Sequence, residues 1–280
     1  AKAGYLINNV SFPPYFIKRD GQIYMNTWHG TPLKTLGKNM CQGIESMHNI
    51  QHNFLQSDYL LFPNEFTMEH MMEDYNLNKL YTGKTIVCGY PRNSIFMDEK
   101  AGKKLKAELG YEGKTLYTYM PTWRGKNSYQ NNGTNYIDDI YEILENVDKV
   151  LTDEEIFFVN LHPNVNSDMD YDKYEHIKPF PSDIPQYDFI NCTDVLITDY
   201  SSIFFDFSIT KKPIVLFMYD YDDYMEERGT YINAKELPFT KVYDLQTFIQ
   251  GLKEKSYLKS TYRDCLLYTS PSPRDSTSSR

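Results

Sequence analysis

Short apolar runs alternate with helix-length segments along most of this chain. Tyr59 to Phe62, Thr85 to Cys88 and Val195 to Ile197 are apolar and too short for helices, which is typical of buried strands. Glu65 to Tyr75 and Ile137 to Val147 have the spacing of helices. Alternation of the two kinds of segment predicts an α/β fold built on open parallel sheets.

Polar clusters follow several of the predicted strands. In the first half, Trp28, His29 and Gly30 stand at a strand end. The second half has three such clusters: Thr122-Trp123-Arg124, His162-Pro163 and Thr198 to Ser202. Ligands of open α/β sheets bind at the carboxyl ends of the strands, so we expect the clusters of the second half to line one cleft.

The stretch from Asp194 to Asp206, D-V-L-I-T-D-Y-S-S-I-F-F-D, predicts a buried strand, a tight polar turn and the start of a helix. A helix start points unpaired N–H groups and the positive end of its dipole outward, and Ser201 and Ser202 add hydroxyl donors. The turn is therefore a candidate phosphate site. The alternative is that one of the serines only caps the helix.

Composition narrows the class of protein. The 280 residues suffice for two domains, and no apolar run reaches the length of a membrane span. The net charge of -9 argues against a general nucleic-acid binder, although it allows a local basic pocket. The four cysteines include no C-x-x-C pair, which fits a reducing compartment without a disulfide framework or a cysteine zinc site.

Both ends of the chain are unusual. The chain begins with A-K-A-G-Y-L-I-N-N, already inside an apparent strand, and we expect it to be a fragment without a visible signal peptide. Residues 265–280, which start C-L-L-Y-T-S-P-S-P-R-D, look like a translated sequencing adaptor and are not expected to be part of the fold; a natural Ser/Pro tail is the alternative.

Seven motifs occur in one order: N-T-W-H-G-T-P-L-K, G-Y-P-R-N, P-T-W-R-G, L-H-P-N, T-D-Y-S-S with F-D-F behind it, K-P-I-V-L-F and R-G-T-Y. Together they resemble the CDP-glycerol:poly(glycerophosphate) glycerophosphotransferases, the teichoic-acid primase and polymerase family, roughly from Gly4 to Leu252. The resemblance implies a GT-B-type fold of two facing Rossmann-like domains. We expect a truncated acceptor-side domain at residues 1–98 and a CDP-polyol donor domain at residues 99–264.

The resemblance also implies an activity. Members transfer glycerol phosphate from CDP-glycerol to a hydroxyl of a lipid-linked acceptor or growing chain and release CMP. It implies a polyprenyl-diphosphate-linked acceptor at the inner face of the cell membrane, no cofactor, no metal and no nucleic acid, and it leaves homo-oligomerisation open. Asp220, Asp222 and Asp223 are accordingly expected to be solvated rather than metal ligands.

The resemblance assigns roles to individual residues. It makes His29 the general base, for which the pKa of histidine is suitable, and His162 a second catalytic histidine that holds the donor pyrophosphate. The alternatives are a buried histidine bonded to backbone for His29 and a capping role for His162. The expected substrate-binding residues are Gly30, Arg124, Thr198, Asp199, Ser201, Ser202, Asp206 and Arg228.

Several of these assignments have plain structural alternatives. Asp206 lies one helical turn beyond Ser202, where it would reach donor hydroxyls or simply face solvent. Arg124 and Arg228 suit bidentate phosphate binding, but either is also typical of a surface salt bridge.

Other functions compete with the leading one. A CDP-ribitol-dependent transferase shares the cytidine and pyrophosphate of its donor, and no motif separates it from the glycerol enzyme. A sugar-nucleotide glycosyltransferase or epimerase of the same architecture needs a sugar pocket. A non-catalytic nucleotide- or polymer-binding module has no need of a base, so the presence of both His29 and His162 argues against it.

Overall fold

The computed structural model describes residues 2–40, 47–122, 136–161 and 169–259. The chain forms two compact units. Unit 1 contains the described residues up to Ser94 together with Asp222–Ala234, and unit 2 contains Ile95–Tyr221 and the described chain from Lys235 onward. Each unit has its own parallel sheet, which agrees with the alternation of strands and helices in the sequence.

Unit 1 is built on a four-stranded sheet in the order β1-β2-β3-β4. The elements are β1 (Tyr5–Asn8), β2 (Ile23–Asn26), α1 (His48–Gln56), β3 (Tyr59–Phe62), α2 (Glu65–Asp74) and β4 (Lys84–Val87). Helix α2 begins after Asn64 because the Asn64 side chain accepts a hydrogen bond from the Thr67 amide. Trp28 packs edge-on against Phe54 of α1 in the buried cluster of this unit, which fixes the loop that follows β2.

Unit 2 is built on a six-stranded parallel sheet in the order β10-β9-β8-β5-β6-β7. Its strands are β5 (Thr115–Met120), β6 (Glu155–Val159), β7 (Ile177–Pro179), β8 (Val195–Thr198), β9 (Ile214–Phe217) and β10 (Thr240–Val242). The order grows outward in both directions from β5, as in doubly wound sheets, and it reverses between β5 and β8. Ligands of such sheets bind outside the carboxyl ends of the two strands at this reversal.

Helices cover both faces of the second sheet. They are α3 (Glu99–Glu108), α4 (Tyr136–Asp148), α5 (Gln186–Cys192), α6 (Ile203–Phe207) and α8 (Leu245–Glu254). Helix α7 (Tyr221–Arg228) begins at the boundary between the units, and its residues from Asp222 onward belong to unit 1. Side chains alternate along β6: Phe158 packs with Phe189 of α5, whereas Phe157 belongs to the cluster that contains Leu144 of α4 and Phe248 of α8. Two buried faces explain why all five residues of β6 are buried.

One segment of the chain packs with a different unit from the one predicted from the sequence. Asp222–Ala234 falls inside the residues assigned from sequence to the donor domain, but it packs with unit 1. The Tyr231 hydroxyl accepts from the Leu36 amide at 2.7 Å and donates to Asp74, and the Tyr231 amide donates to the Leu33 carbonyl at 2.9 Å. These partners are distant in the chain, so the local sequence pattern does not show which unit the segment joins.

Most predicted elements are present with shifted ends. The predicted strand Pro213 to Met218 is β9, whereas the predicted helix Val242 to Leu252 begins only at Leu245 because Val242 still belongs to β10. The helix predicted after Ser202 is short, since α6 has five residues and continues as a 3-10 turn at Ser208–Thr210. Among the described residues, no helix is both long and apolar enough to cross a membrane.

Candidate active site

The loop after β2 is held by a buried asparagine. Asn26 is 1% exposed, and its side chain donates to the Val10 carbonyl and to the Tyr24 hydroxyl, both at 2.8 Å. Its oxygen accepts from the Trp28 amide at 2.9 Å. Trp28 has a φ of 51°, a left-handed conformation that is strained for a bulky residue. The Asn26 bonds and the packing of the Trp28 ring therefore stabilise the strained turn that carries His29.

His29 is exposed, and its ring lies against Trp28 with 4.0 Å between ring centroids. Nδ1 is 3.0 Å from the Asn9 carbonyl oxygen, which can only accept a hydrogen bond. Nδ1 must therefore carry the proton that forms this bond. In the neutral ring Nε2 is then the nitrogen with a lone pair, which is the atom a general base uses. The contact to a backbone carbonyl agrees with the structural alternative for His29, but the residue is not buried.

The surroundings of His29 favour its neutral form. Desolvation of the ring is the largest effect and lowers the pKa of His29 below its ordinary value of 6.5, and the positive charge of Arg92 lowers the pKa further. The bond to Asn9 acts in the opposite direction. The net effect is a histidine that remains unprotonated, and so able to accept a proton, to lower pH than a free one.

Arg92 belongs to the motif G-Y-P-R-N but receives no role from the sequence. Its Nη2 donates to the His29 carbonyl at 3.1 Å, and its guanidinium lies 4.0 Å from the centroid of the Tyr90 ring. The motif directly follows β4, and this position after a strand could have indicated from the sequence that Arg92 lies near His29. Gly30, predicted to bind substrate, is buried in the same loop.

In unit 2, Asp199 joins the ends of β5 and β8 where the strand order reverses. It is 1% exposed and accepts from the Thr122 amide at 2.8 Å, from the Thr122 hydroxyl at 2.6 Å and from the Tyr200 amide at 2.5 Å. These bonds fix the two loops at the edge where ligands of such sheets bind. All three contacts are structural, and the assignment of Asp199 to substrate stays a prediction.

Two further predicted ligands are also buried. Thr198 is 0% exposed, and its hydroxyl donates to the Met120 carbonyl at 2.6 Å. Asp206 is 4% exposed and accepts from the Tyr187 hydroxyl at 2.7 Å, so the alternative of a solvent-facing Asp206 is wrong. Their roles toward a substrate stay predictions, because both side chains have partners within the unit.

Ser201 and Ser202 are the half-buried hydroxyls of this turn. Ser201 Oγ accepts a long bond of 3.4 Å from the Ile203 amide, whereas Ser202, the residue before α6, makes no capping bond to the described helix through its side chain. Since α6 is only five residues long, its dipole is smaller than the sequence led us to expect. The hydroxyls therefore matter more to the candidate phosphate site than the helix does.

A profile of the CDP-glycerol:poly(glycerophosphate) glycerophosphotransferases matches residues 1–268. The chain belongs to this family. The resemblance inferred from the seven motifs is thereby confirmed.

Relatives from this glycerophosphotransferase family cover most of the chain. The teichoic acid poly(glycerol phosphate) polymerase of Staphylococcus epidermidis is 30% identical over 273 residues, 90% of this chain and 37% of that protein. The protein of the same name from Bacillus spizizenii is 32% identical over 256 residues, 84% of this chain and 62% of that protein. The chain spans between 35% and 65% of the length of the curated relatives that it matches first.

A solved structure supports the fold. The structure of the wall teichoic acid polymerase TagF matches with a TM-score of 0.78 at 26% identity, over 95% of this chain and 67% of that chain. The predicted fold class, α/β of the GT-B type, is confirmed by this match and by the two parallel sheets.

Three predicted glycerophosphotransferase site residues have side chains that are not described. Arg124 and His162 lie outside the described residues, and so does Trp123 of the same motif as Arg124. Arg228 is the last residue of α7, and its side chain is likewise outside the described part of the chain. Their assigned roles stay predictions. The structure does place the Arg228 backbone in unit 1 and not with the switch-point turn of unit 2.

Proposed function

We propose that this chain carries the centre that transfers glycerol phosphate from CDP-glycerol to a hydroxyl of a poly(glycerol phosphate) chain or of a lipid-linked acceptor. The acceptor oxygen forms a bond to the phosphorus that bears glycerol, the bond from that phosphorus to the CMP oxygen breaks, and CMP leaves. The acceptor hydroxyl gives up its proton during the step. The family and the names of its glycerol phosphate relatives support this choice of donor.

The observation that carries the proposal is the state of His29. Its Nδ1 proton is committed to the Asn9 carbonyl, its pKa is lowered, and the ring is exposed. An alcohol near neutral pH needs a base to remove its proton as it attacks phosphorus, and such a base contributes about 10²–10⁴-fold to the rate. Nε2 of His29 has the lone pair and the access that this role requires.

We place the donor on unit 2, and the topology of its sheet supports this choice. The turn from Asp199 to Ser202 and the loop at Thr122 follow the two strands on either side of the order reversal, where nucleotides bind in doubly wound sheets. Asp199 makes this edge rigid, and Ser201 and Ser202 offer hydroxyl donors to phosphate oxygens. His162 and Arg124 belong to the same proposal as donor ligands on the strength of their motifs.

The proposal also covers the acceptor and the cellular site. We assign the acceptor as a polyprenyl-diphosphate-linked chain reached from the inner face of the cell membrane, with the protein peripheral to it. The support is the similarity to relatives that are teichoic acid poly(glycerol phosphate) polymerases, over the part of their length that this chain spans.

Incubation of a chain extended to the length of its relatives with CDP-glycerol and a synthetic acceptor, with CMP release as the readout, tests the proposal. We expect His29→Ala to lower kcat by about 10³-fold while CDP-glycerol affinity changes little. His52→Ala, at an exposed histidine of α1, is the matched control. Undiminished turnover of the His29 variant refutes the assignment of His29 as the general base. Release of CMP from CDP-ribitol but not from CDP-glycerol refutes the assignment of CDP-glycerol as the donor.

A further inference from the structure

A buried histidine at the amino edge of the unit 2 sheet has unusual surroundings. His176, directly before β7, is 8% exposed. Its Nδ1 lies 3.4 Å from Asp148 Oδ1, and its Nε2 lies 3.6 Å from Asp153 Oδ1. Neither ring nitrogen forms a hydrogen bond with any residue that the structure describes. Because burying a polar group without a partner costs free energy, this ring calls for a ligand.

The groups around Nε2 form a set of metal donors. Asp153 lies in the turn before β6, and Glu175 directly precedes His176. One ligand atom from each of Asp153, Glu175 and His176 lies within 4.8 Å of the other two. Two ligands on a tetrahedral Zn²⁺ ion, at about 2.0–2.2 Å from the metal, lie about 3.4 Å apart. The 3.6 Å between His176 Nε2 and Asp153 Oδ1 is too long for a good hydrogen bond but close to that separation.

The supporting contacts hold these donors in place. Asp148, the last residue of α4, accepts from the Glu175 amide at 3.2 Å and from the His176 amide at 2.8 Å. The same carboxylate faces His176 Nδ1, which is the carboxylate–histidine–metal arrangement that orients metal-binding imidazoles. Lys114 Nζ donates to the Asp153 main-chain oxygen at 2.9 Å and thereby ties the Asp153 turn to the chain just before β5.

We propose that His176, Asp153 and Glu175 bind a Zn²⁺ ion, while the Asp148 carboxylate faces Nδ1 of the imidazole and orients the ring. One imidazole with carboxylates suits zinc better than magnesium or calcium, which prefer oxygen ligands alone. Asp153 and Glu175 are exposed, so an ion enters from solvent and water completes its coordination. The ion ties the edge strand β7 to the turn before β6.

This site is separate from the proposed donor site. It lies at the amino ends of β6 and β7, whereas the turn from Asp199 to Ser202 lies at the carboxyl end of the sheet. A strand the length of β6, five residues, spans about 16 Å. The ion therefore has a structural role, and the inference stands whether or not the proposed transferase activity is found.

Titration calorimetry of the chelator-treated full chain with Zn²⁺ tests the inference. We expect one saturable site, and we expect Asp153→Asn and Glu175→Gln each to weaken it by about tenfold or more. Both side chains are exposed, so these variants fold. Glu154→Gln, the same change of charge one residue away, and His29→Ala, at the other candidate site, should bind Zn²⁺ as the parent does. Mg²⁺ and Ca²⁺ should bind at least about tenfold more weakly.

Thermal unfolding gives a second readout. Saturating Zn²⁺ should raise the Tm of the parent by several degrees and leave the Tm of Asp153→Asn nearly unchanged. Equal Zn²⁺ affinity in the parent, Asp153→Asn and Glu175→Gln overturns the proposal. So does a Tm of the parent that does not change with Zn²⁺.

Discussion

Two turns after parallel strands, one in each unit, use the same device for different purposes. Asn26 in unit 1 and Asp199 in unit 2 are both 1% exposed, and each binds the backbone amide of a residue just after it. The first turn presents a histidine with a lowered pKa. The second presents two serines at a strand-order reversal. In each loop a buried polar side chain holds the backbone, and the residues placed on the loop carry the role that we propose for it.

The two buried side chains differ in what they join. Asp199 is a carboxylate that accepts from Thr122 on a neighbouring strand end, so it connects β8 to β5. Asn26 is an amide that both donates and accepts, and it connects the ends of β1 and β2. Charged acceptors in buried sites are costly to leave unpaired, so the unit 2 turn should be the more sensitive to substitution.

Removal of the Asp199 carboxylate should have the largest effect. Asp199→Ala leaves the Thr122 amide and the Tyr200 amide without their acceptor in a buried site, and we expect unit 2 to lose about 3 kcal/mol of stability. Asp199→Asn keeps one acceptor oxygen and should lose less. Urea unfolding measures both, with Asp183→Ala at an exposed position as the control. If Asp199→Ala loses no more stability than Asp183→Ala, the hydrogen bonds of Asp199 do not stabilise unit 2.

Asn26→Ala should have the next largest effect. The loss of three hydrogen bonds, two of them buried, should cost about 2 kcal/mol, and freeing Trp28 from its left-handed conformation should displace His29. We therefore expect kcat to fall while the affinity of unit 2 for CDP-glycerol stays the same. Asn78→Ala, an exposed asparagine, serves as the control. A variant with lower stability but unchanged kcat shows that Asn26 only stabilises the unit.

The sequence was sufficient for the features that depend on local pattern. Apolar runs of strand length and the polar clusters after them follow from residues close together in the chain. The role of His29 as base came from the resemblance to the family, and it stays a prediction. The strand order of unit 2 does not follow from local pattern, and it decides that Asp199 binds Thr122 and that the Thr198 hydroxyl binds the Met120 carbonyl. A polar residue after a strand looks the same in sequence whether it faces a ligand or the neighbouring strand.

Backbone conformation and distant packing were equally beyond the sequence. A positive φ is typical of glycine or asparagine, so nothing in T-W-H-G indicates that Trp28 adopts it. The attachment of Asp222–Ala234 to unit 1 depends on Tyr231 meeting Asp74, 157 residues away. Such contacts are set by tertiary packing and leave no periodic signal.

A smaller effect is expected from the two half-buried serines of the unit 2 turn. Ser201→Ala together with Ser202→Ala should weaken CDP-glycerol binding about tenfold, equivalent to about 1.4 kcal/mol, because two donors to a charged phosphate are lost. Stability should hardly change, since these side chains are half-buried and Ser201 makes only one long bond. Calorimetry with CDP-glycerol measures the affinity, with Ser182→Ala as the control. Unchanged affinity in the double variant refutes the phosphate role.

The smallest expected effect tests the electrostatics of the unit 1 turn. The positive charge of Arg92 helps to lower the pKa of His29, so Arg92→Gln should raise that pKa. The base is active when neutral, and activity is lost as pH falls through its pKa. The acid limb of the profile of kcat/KM against pH should therefore move to higher pH. Arg92→Lys keeps the charge and should leave the limb near its original position. An equal shift of the acid limb in both variants means that the lost contact with the His29 carbonyl, not the charge, causes the effect. If the limb moves in neither variant, Arg92 does not influence the pKa of His29.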